Sequence, residues 1–275
     1  VRIINQWQNP DGSTWLVIRK SAEGFELEFP HLAQFSLDDE GDVIRKTQLE
    51  DGCEATLDHL YLNQVLPLAL SLQNELVLHA SAVNINGQAA VFCGSSGMGK
   101  SSIAAAFATA GYPFLTDDGL LIEPSGGDYL AVPSHPFIRL WDDSRDSLVP
   151  GEVGSLPTPV WTEKSRLLAG EQLPFCDQKV TVGRVYFLQD EGVDSLTISP
   201  LLGADALMAL VRNSFFLDIS DRCGVSKHFH GAGGLVRKPL FYHLDYPRAY
   251  GELPGLVDGV LEHMEMPGFA SVEGS

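Results

Sequence analysis

The chain has 275 residues, of which 44% are hydrophobic, 20% charged and 9% aromatic, enough apolar material for one large domain or a small one beside a medium one. Asp and Glu number 36 against 18 Lys and Arg, and the net charge of −18 argues against a surface built to neutralise nucleic-acid phosphates or anionic lipid. No apolar run reaches the roughly 18 residues of a membrane span, no signal-peptide pattern opens the chain, and the cysteines form no CxxC pair, so a cytoplasmic protein with free thiols is expected.

Residues 1–76 read as a small domain of short strands followed by one helix. Gly24-Phe25-Glu26-Leu27-Glu28-Phe29 alternates apolar and polar as a half-buried strand does, and Leu57 to Leu72 carries its apolar residues nearer to helical spacing. From Leu76 the pattern changes. Leu76 to Ile85 and Ala89 to Cys93 are apolar runs joined by Asn86-Gly87, the strongest short hairpin signal. A Gly-rich loop (Gly94 to Gly99) and an Ala-rich helix to about Ala110 follow. Tyr112 to Leu115 is an apolar strand ending in Thr116-Asp117-Asp118, and a second hairpin is expected from Leu120 to Val132 around Ser125-Gly126-Gly127. Pro133 to Leu173 is rich in Pro and Gly and reads as irregular, with a strand at Phe137 to Trp141. A strand at Val180 to Leu188, a helix at Ala204 to Phe216, a short strand at Phe241 to Leu244 and a helix at Leu253 to Met264 close a second domain over 77–267. Residues 268–275 are expected to be a loose tail.

The segment Gly94-Ser95-Ser96-Gly97-Met98-Gly99-Lys100-Ser101 satisfies GxxxxGK[ST] and lies between an apolar strand and a helix, where that motif must lie. Its glycines let backbone N–H groups turn inward onto phosphate oxygens, and the positive end of the following helix adds to them. Lys100 is placed to reach the β- and γ-phosphates, and the Ser101 hydroxyl to bind Mg2+. Asp117 and Asp118 end the next strand, seventeen residues after the loop lysine, at the strand end where open α/β sheets keep their sites. A pair of carboxylates there suits two tasks, holding Mg2+ and accepting a proton from an attacking hydroxyl, and a close pair disfavours ionising both. Taken alone, His79 in Leu78-His79-Ala80-Ser81-Ala82-Val83 fits a hydrogen-bonded core histidine better than a catalyst.

His79-Ala80-Ser81-Ala82-Val83, the Asn-Gly hairpin, Gly94 to Ser102, the Ala-rich helix and Phe114-Leu115-Thr116-Asp117-Asp118 together resemble the kinase domain of HPr kinase/phosphorylase. They are more similar to its smaller relatives, which include serine kinases of lasso-peptide and other ribosomally made, modified peptides (RiPPs). The resemblance covers about His79 to Glu123, with a weaker echo from Pro239 to the last helix. It implies an α/β fold with a P-loop-containing HPr kinase/PEP carboxykinase-like core behind a small N-terminal α+β domain. It implies ATP and Mg2+ as cofactors, with ATP bound by Gly94, Ser95, Ser96, Gly97, Met98, Gly99, Lys100, Ser101 and Ser102. His79, Lys100, Asp117 and Asp118 are then the catalytic residues, Asp117 the expected base, with Ser101 and Asp118 toward the metal. The implied activity transfers the γ-phosphoryl group of ATP to a serine on a peptide or small protein, a RiPP precursor above all. The oligomeric state stays open, a homo-oligomer included. A small-metabolite kinase, for instance one acting on free serine, and a non-catalytic nucleotide-binding module are the rival readings.

The sequence departs from the parent family after the acidic pair. No Glu matches that family's Gly-rich metal-binding segment, and Phe137-Ile138-Arg139-Leu140-Trp141-Asp142-Asp143 stands near its place. Asp142 or Asp143 substitutes for that Glu, Arg139 holds phosphate instead, or the two aspartates cap a helix. The phosphate-removing reaction is therefore not expected. His228-Phe229-His230-Gly231-Ala232-Gly233-Gly234 reads as a flexible loop able to close over substrate rather than as an HxH metal site. Arg212 and Arg248 are read as surface or structural residues before phosphate clamps.

Overall fold

A computed structural model describes residues 1–9, 11–159, 161–189 and 192–266. It is a mixed α/β protein whose contacts divide it into two units. The first comprises Val1–Val77, Pro157–Glu163 and Phe215–Phe229, the second Leu78–Leu156, Lys164–Ser214 and the chain from His230 onward. Among the described residues no helix is long and apolar enough to cross a membrane. The tail expected over 268–275 lies outside the described residues.

The first unit is built on an antiparallel meander of β1 (Arg2–Gln8), β2 (Thr14–Ser21), β3 (Gly24–Phe29), β4 (Ala33–Leu37) and β5 (Val43–Gln48), paired in chain order. The alternation read at Gly24 to Phe29 is the cause of one buried face, where Phe25, Leu27 and Phe29 join Phe35 and Leu37 of β4. The helix expected over Leu57 to Leu72 occurs in three pieces. These are α1 (Glu54–Leu60), a π-helical turn (Tyr61–Val65) and α2 (Leu66–Leu72). Pro67 supplies the reason, because it has no N–H to return to the carbonyl of Asn63 and a π turn absorbs the mismatch.

The second unit contains an eight-stranded mixed sheet. β6 (Leu76–Ile85) and β7 (Gln88–Cys93) form the hairpin, with Asn86 and Gly87 both at positive φ (52° and 86°), as a two-residue turn of this hand requires. α3 (Lys100–Thr109) follows the Gly-rich loop, and Ile103 to Ala108 are buried along it. Phe107 on its buried face meets the Phe92 ring of β7. β8 (Phe114–Thr116) pairs antiparallel with β6, and β9 (Gly119–Ser125) and β10 (Asp128–Val132) form the second hairpin.

The stretch read as irregular contains more order than its composition suggests. β11 (Phe137–Leu140), α4 (Asp142–Leu148), β12 (Ser155–Leu156) and β13 (Ser165–Leu168) lie within it, and the three strands make a separate sheet in the order β11-β13-β12. Elements this short carry too few residues to display a period. β14 (Val180–Leu188) then runs parallel to β7, β15 (Thr197–Pro200) lies at the sheet edge, and α5 (Gly203–Arg212) follows. α5 ends before the expected Phe216. Asn213 and Ser214 are drawn into pairing with β6, the Asn213 carbonyl accepting the His79 N–H at 2.7 Å.

The loop expected over His228 to Gly234 is instead part of α6 (Arg222–Val236). His228 is buried and its ring lies 4.9 Å from that of Phe216, while a Cβ at Gly234 would approach the Tyr129 hydroxyl to 2.6 Å. The histidine is core and that glycine makes room for a tyrosine. β16 (Phe241–Asp245) runs parallel to β14, and α7 (Leu253–Glu265) closes the described chain.

Phe92 sits at the centre of this unit, fully buried, with ring centroids 5.7 Å from Phe107 and 5.5 Å from Tyr186. It is one residue from Cys93, where the Gly-rich loop departs. Phe92→Ala is expected to lower unfolding stability by about 3–5 kcal/mol in urea titration. Ala at exposed Ile44 serves as the control and should cost under about 0.5 kcal/mol.

Candidate active site

Four elements of the second unit bring the site together. The start of α3 carries Lys100 and Ser101, β6 carries His79, the two residues after β8 are Asp117 and Asp118, and β11 carries Arg139. Register does most of the placing. Ala82 of β6 is opposite Thr116 of β8, and the Ala80 N–H donates to the Asp118 carbonyl at 2.8 Å, so His79 arrives beside the acidic pair. The buried Ser81 hydroxyl donates to the Lys100 carbonyl at 2.9 Å and ties the start of α3 to β6.

The Gly-rich loop has the backbone its sequence calls for. Gly97 and Gly99 have φ of 87° and 89°, and a Cβ at Gly99 would come within 2.9 Å of the Tyr246 hydroxyl. The Lys100 ammonium donates to the carbonyls of Gly94 (2.6 Å) and Ser95 (3.0 Å), closing the loop on itself. Burial pulls the Lys100 ammonium down to about 8, and the Asp118 carboxylate works against that pull. Cys93, beneath the loop, is pushed up by burial to about 12 and stays a neutral thiol. Arg248 braces the loop from the far side, donating to the Met98 carbonyl at 2.7 Å, to Asp245 Oδ1 at 3.0 Å and to the Gln189 carbonyl. It is thus a structural residue of the loop. Arg212 is exposed at the end of α5.

Asp117 and Asp118 are only 4% and 5% exposed, and Arg139 is 8% exposed between them. Asp117 Oδ2 accepts the Arg139 backbone N–H at 2.8 Å and its Nε at 3.4 Å, while Arg139 Nη2 lies 3.0 Å from Asp118 Oδ1. Burial works to lower the Arg139 guanidinium, but Asp118 and Asp117 outweigh it and hold it above its ordinary value. The two carboxylates therefore face a shared cation rather than one another, which removes the like-charge pressure expected of a bare pair.

The two aspartates also point to different neighbours, in the opposite sense to the sequence expectation. Ser101 Oγ donates to Asp117 Oδ2 at 3.4 Å, whereas Asp118 Oδ1 lies 3.2 Å from His79 Nε2. Asp117, not Asp118, is the carboxylate beside the loop hydroxyl. His79 is 34% exposed at its side chain while Asp118 is nearly buried, so the imidazole stands at the mouth of the site and the carboxylate behind it.

The remaining candidates fall elsewhere. Asp142 and Asp143 form the exposed first turn of α4, where Trp141 holds the cap position. Asp143 accepts the Tyr250 hydroxyl at 2.8 Å, and Asp142 accepts the Ser165 hydroxyl at 3.1 Å. Arg139 is bound to the acidic pair rather than held out for phosphate. Lys164, which the sequence did not single out, is drawn down by burial and by Arg139, and it is attracted by Asp117 and Asp118. Its only sequence signal was a lysine in a Pro- and Gly-rich stretch.

Among the described residues no group of three or more His, Cys, Asp or Glu side chains could hold a metal ion. That is compatible with Mg2+, which binds through one or two protein oxygens together with substrate phosphates rather than in an all-protein cage. Ser101 Oγ and Asp117 Oδ2 supply such a pair of hard oxygens at the mouth of the loop. The cradle fits a polyphosphate equally well, with a lysine and two left-handed glycines around the start of α3.

No protein-family model matches the chain, and no curated protein matches it. Among solved structures, one similar to it is that of the Hpr(Ser) kinase/phosphatase from Coxiella burnetii. It is 12% identical over 68% of this chain and 94% of that one, with a TM-score of 0.36.

Proposed function

We propose that the chain is an ATP- and Mg2+-dependent phosphotransferase that moves the γ-phosphoryl group to a hydroxyl, with a serine of a peptide or small protein as acceptor. The observation that carries this reading is the meeting of a GxxxxGK[ST] loop with two buried carboxylates that face different partners, Asp117 toward Ser101 and Asp118 toward His79. A nucleotide-binding module without chemistry has no use for two buried aspartates and a buried arginine, each costly to keep from water. The finer choice of acceptor, a serine on a RiPP precursor, rests on the resemblance of His79 to Glu123 to the smaller HPr kinase relatives.

The residues divide the work as follows. Lys100 and the loop amides hold the phosphates and offset the charge that spreads over the transferring group. Mg2+, held by Ser101 and Asp117, would supply further positive charge at the β- and γ-oxygens. Asp118, oriented by His79 and Arg139, accepts the proton of the acceptor hydroxyl. As that oxygen bonds to the γ-phosphorus, the bond from phosphorus to the β,γ-bridging oxygen breaks and ADP leaves. This assignment exchanges the roles expected for the two aspartates. The bare neighbourhood Asp117-Asp118 said nothing about direction, and the β8–β6 register turns Asp118 toward the histidine.

Full-length protein incubated with ATP, Mg2+ and serine-containing peptides or free amino acids, and read by mass spectrometry, is expected to add the mass of one phosphate to peptides. Phosphate on free amino acids but never on peptides would replace the peptide acceptor with a metabolite. Asp118→Asn should lower the transfer rate about 10²–10⁴-fold with nucleotide affinity kept, whereas Asp117→Asn should raise the Mg2+ concentration needed for half-maximal rate. Exchange of those two phenotypes would reverse the assignment, and full activity in both variants would end the enzymatic reading.

Lys100 also makes the site pH-sensitive. Because its ammonium is held near 8, about two units below a lysine in the unfolded chain, the unfolded state binds more protons across that window. Its contribution to folding stability therefore rises with pH between about 8 and 10. Nucleotide binding needs the charge and moves the other way. ATP affinity measured by calorimetry should weaken several-fold from about pH 7 to about pH 9, and Lys100→Arg, which stays protonated, should flatten that slope. Equal affinities at both pH values in the unaltered protein would contradict this role for Lys100.

A further inference from the structure

We propose that the Arg248 guanidinium is the platform on which the purine base of the nucleotide stacks, an inference that deepens the phosphotransferase reading above and rests on it. β7, β14 and β16 run parallel, with Cys93 beside Phe187 and Leu188 beside Leu244, so the residues that follow each strand gather at one edge of the sheet. That edge is where open α/β sheets hold their ligands. β8, with the acidic pair after it, pairs with β6 on one side of β7, and Ser101 faces that pair through Asp117. A triphosphate with its γ end at the pair carries its nucleoside away from it, toward the side of β7 where β14 and β16 end.

Arg248, three residues past β16, occupies that place. Its guanidinium donates to the Met98 carbonyl of the Gly-rich loop at 2.7 Å, to Asp245 Oδ1 at the end of β16 at 3.0 Å, and to the Gln189 carbonyl just past β14. One group therefore touches the loop and the ends of both neighbouring strands, and those bonds fix its plane. The guanidinium carbon lies over the Tyr246 ring, 4.5 Å from its centre. Tyr246 is itself buried, its hydroxyl so near Gly99 that a Cβ there would come within 2.9 Å of it. With one face on the tyrosine, the opposite face is the one a flat ligand can meet, and 32% of the side chain is exposed. A guanidinium is planar, stacks on aromatic rings and is more weakly hydrated than an ammonium, so a base displaces water from it at small cost. Bracing the loop uses only the hydrogen bonds. A locked, partly exposed plane at the nucleoside end of the cradle is what base stacking requires in addition.

Titration calorimetry of the full chain with Mg2+ plus ADP, and separately with Mg2+ plus pyrophosphate, separates this role from bracing, because the two ligands share the diphosphate and differ in the nucleoside. The unaltered protein is expected to bind ADP about tenfold or more tightly than pyrophosphate. Arg248→Lys keeps a cationic donor for the Met98 carbonyl and removes the plane. It is expected to cut the ratio of the two affinities about fivefold or more. A residue that only braces the loop would lower both affinities together, so an unchanged ratio in Arg248→Lys would overturn the platform. Equal affinities for ADP and pyrophosphate in the unaltered protein would overturn it as well, and either result leaves the phosphotransferase reading standing. An unaltered protein that binds neither ligand would overturn that reading and this inference with it.

Discussion

The Arg139 guanidinium between Asp117 and Asp118 is the interaction on which the site depends. Two adjacent carboxylates, both nearly excluded from solvent, are tolerable only if a cation is buried with them and hydrogen-bonded to both. Removing Arg139 would take from both carboxylates the guanidinium hydrogen-bonded to them, and removing either aspartate would take a carboxylate partner from that buried guanidinium. The bond from the Arg139 backbone N–H to Asp117 adds a geometric constraint, because it places strand β11 itself, and not only a flexible side chain, against the end of β8.

Direction follows from that arrangement. With Arg139 occupying the space between the carboxylates, Asp117 turns to Ser101 and Asp118 to His79. One aspartate is then next to the hydroxyl that follows the Gly-rich loop and the other next to an imidazole at the solvent edge. A pair that looked interchangeable becomes two residues with separate surroundings. β13 brings Arg166 opposite Arg139 on β11, with the Arg166 guanidinium over the Phe137 ring.

The frame that holds these groups is the β6–β7 hairpin with β8 beside it. β6 positions His79 from three sides, through β8, through the Asp118 carbonyl and through Asn213 at the end of α5. β7 delivers the loop, the Phe107 ring of α3 packs on the Phe92 ring of β7, and Arg248 pins the loop by the Met98 carbonyl. Each is a backbone or short-range constraint, so the cradle is held by rigid elements rather than by side chains alone.

What could be read from the sequence shares one property: it depends on residues close together along the chain. The Asn86-Gly87 turn, the GxxxxGK[ST] loop between strand and helix, the alternation of Gly24 to Phe29 and the acidic pair at a strand end are all contiguous patterns. What could not be read depends on groups that meet only after folding. β12 and β13 are too short to show a period and exist because β13 pairs with β11 and β12 with β13. α6 forms across a His- and Gly-rich segment because His228 and Gly234 have packing neighbours that no local propensity reveals. Arg139 lies 22 residues beyond Asp117 and meets it only once β11 lies against the end of β8. The sequence by itself determined the glycine-rich loop between strand and helix and the types of titratable group near it. Only the tertiary structure decided which aspartate faces the loop and which the histidine, because electrostatic direction depends on where a distant arginine is buried.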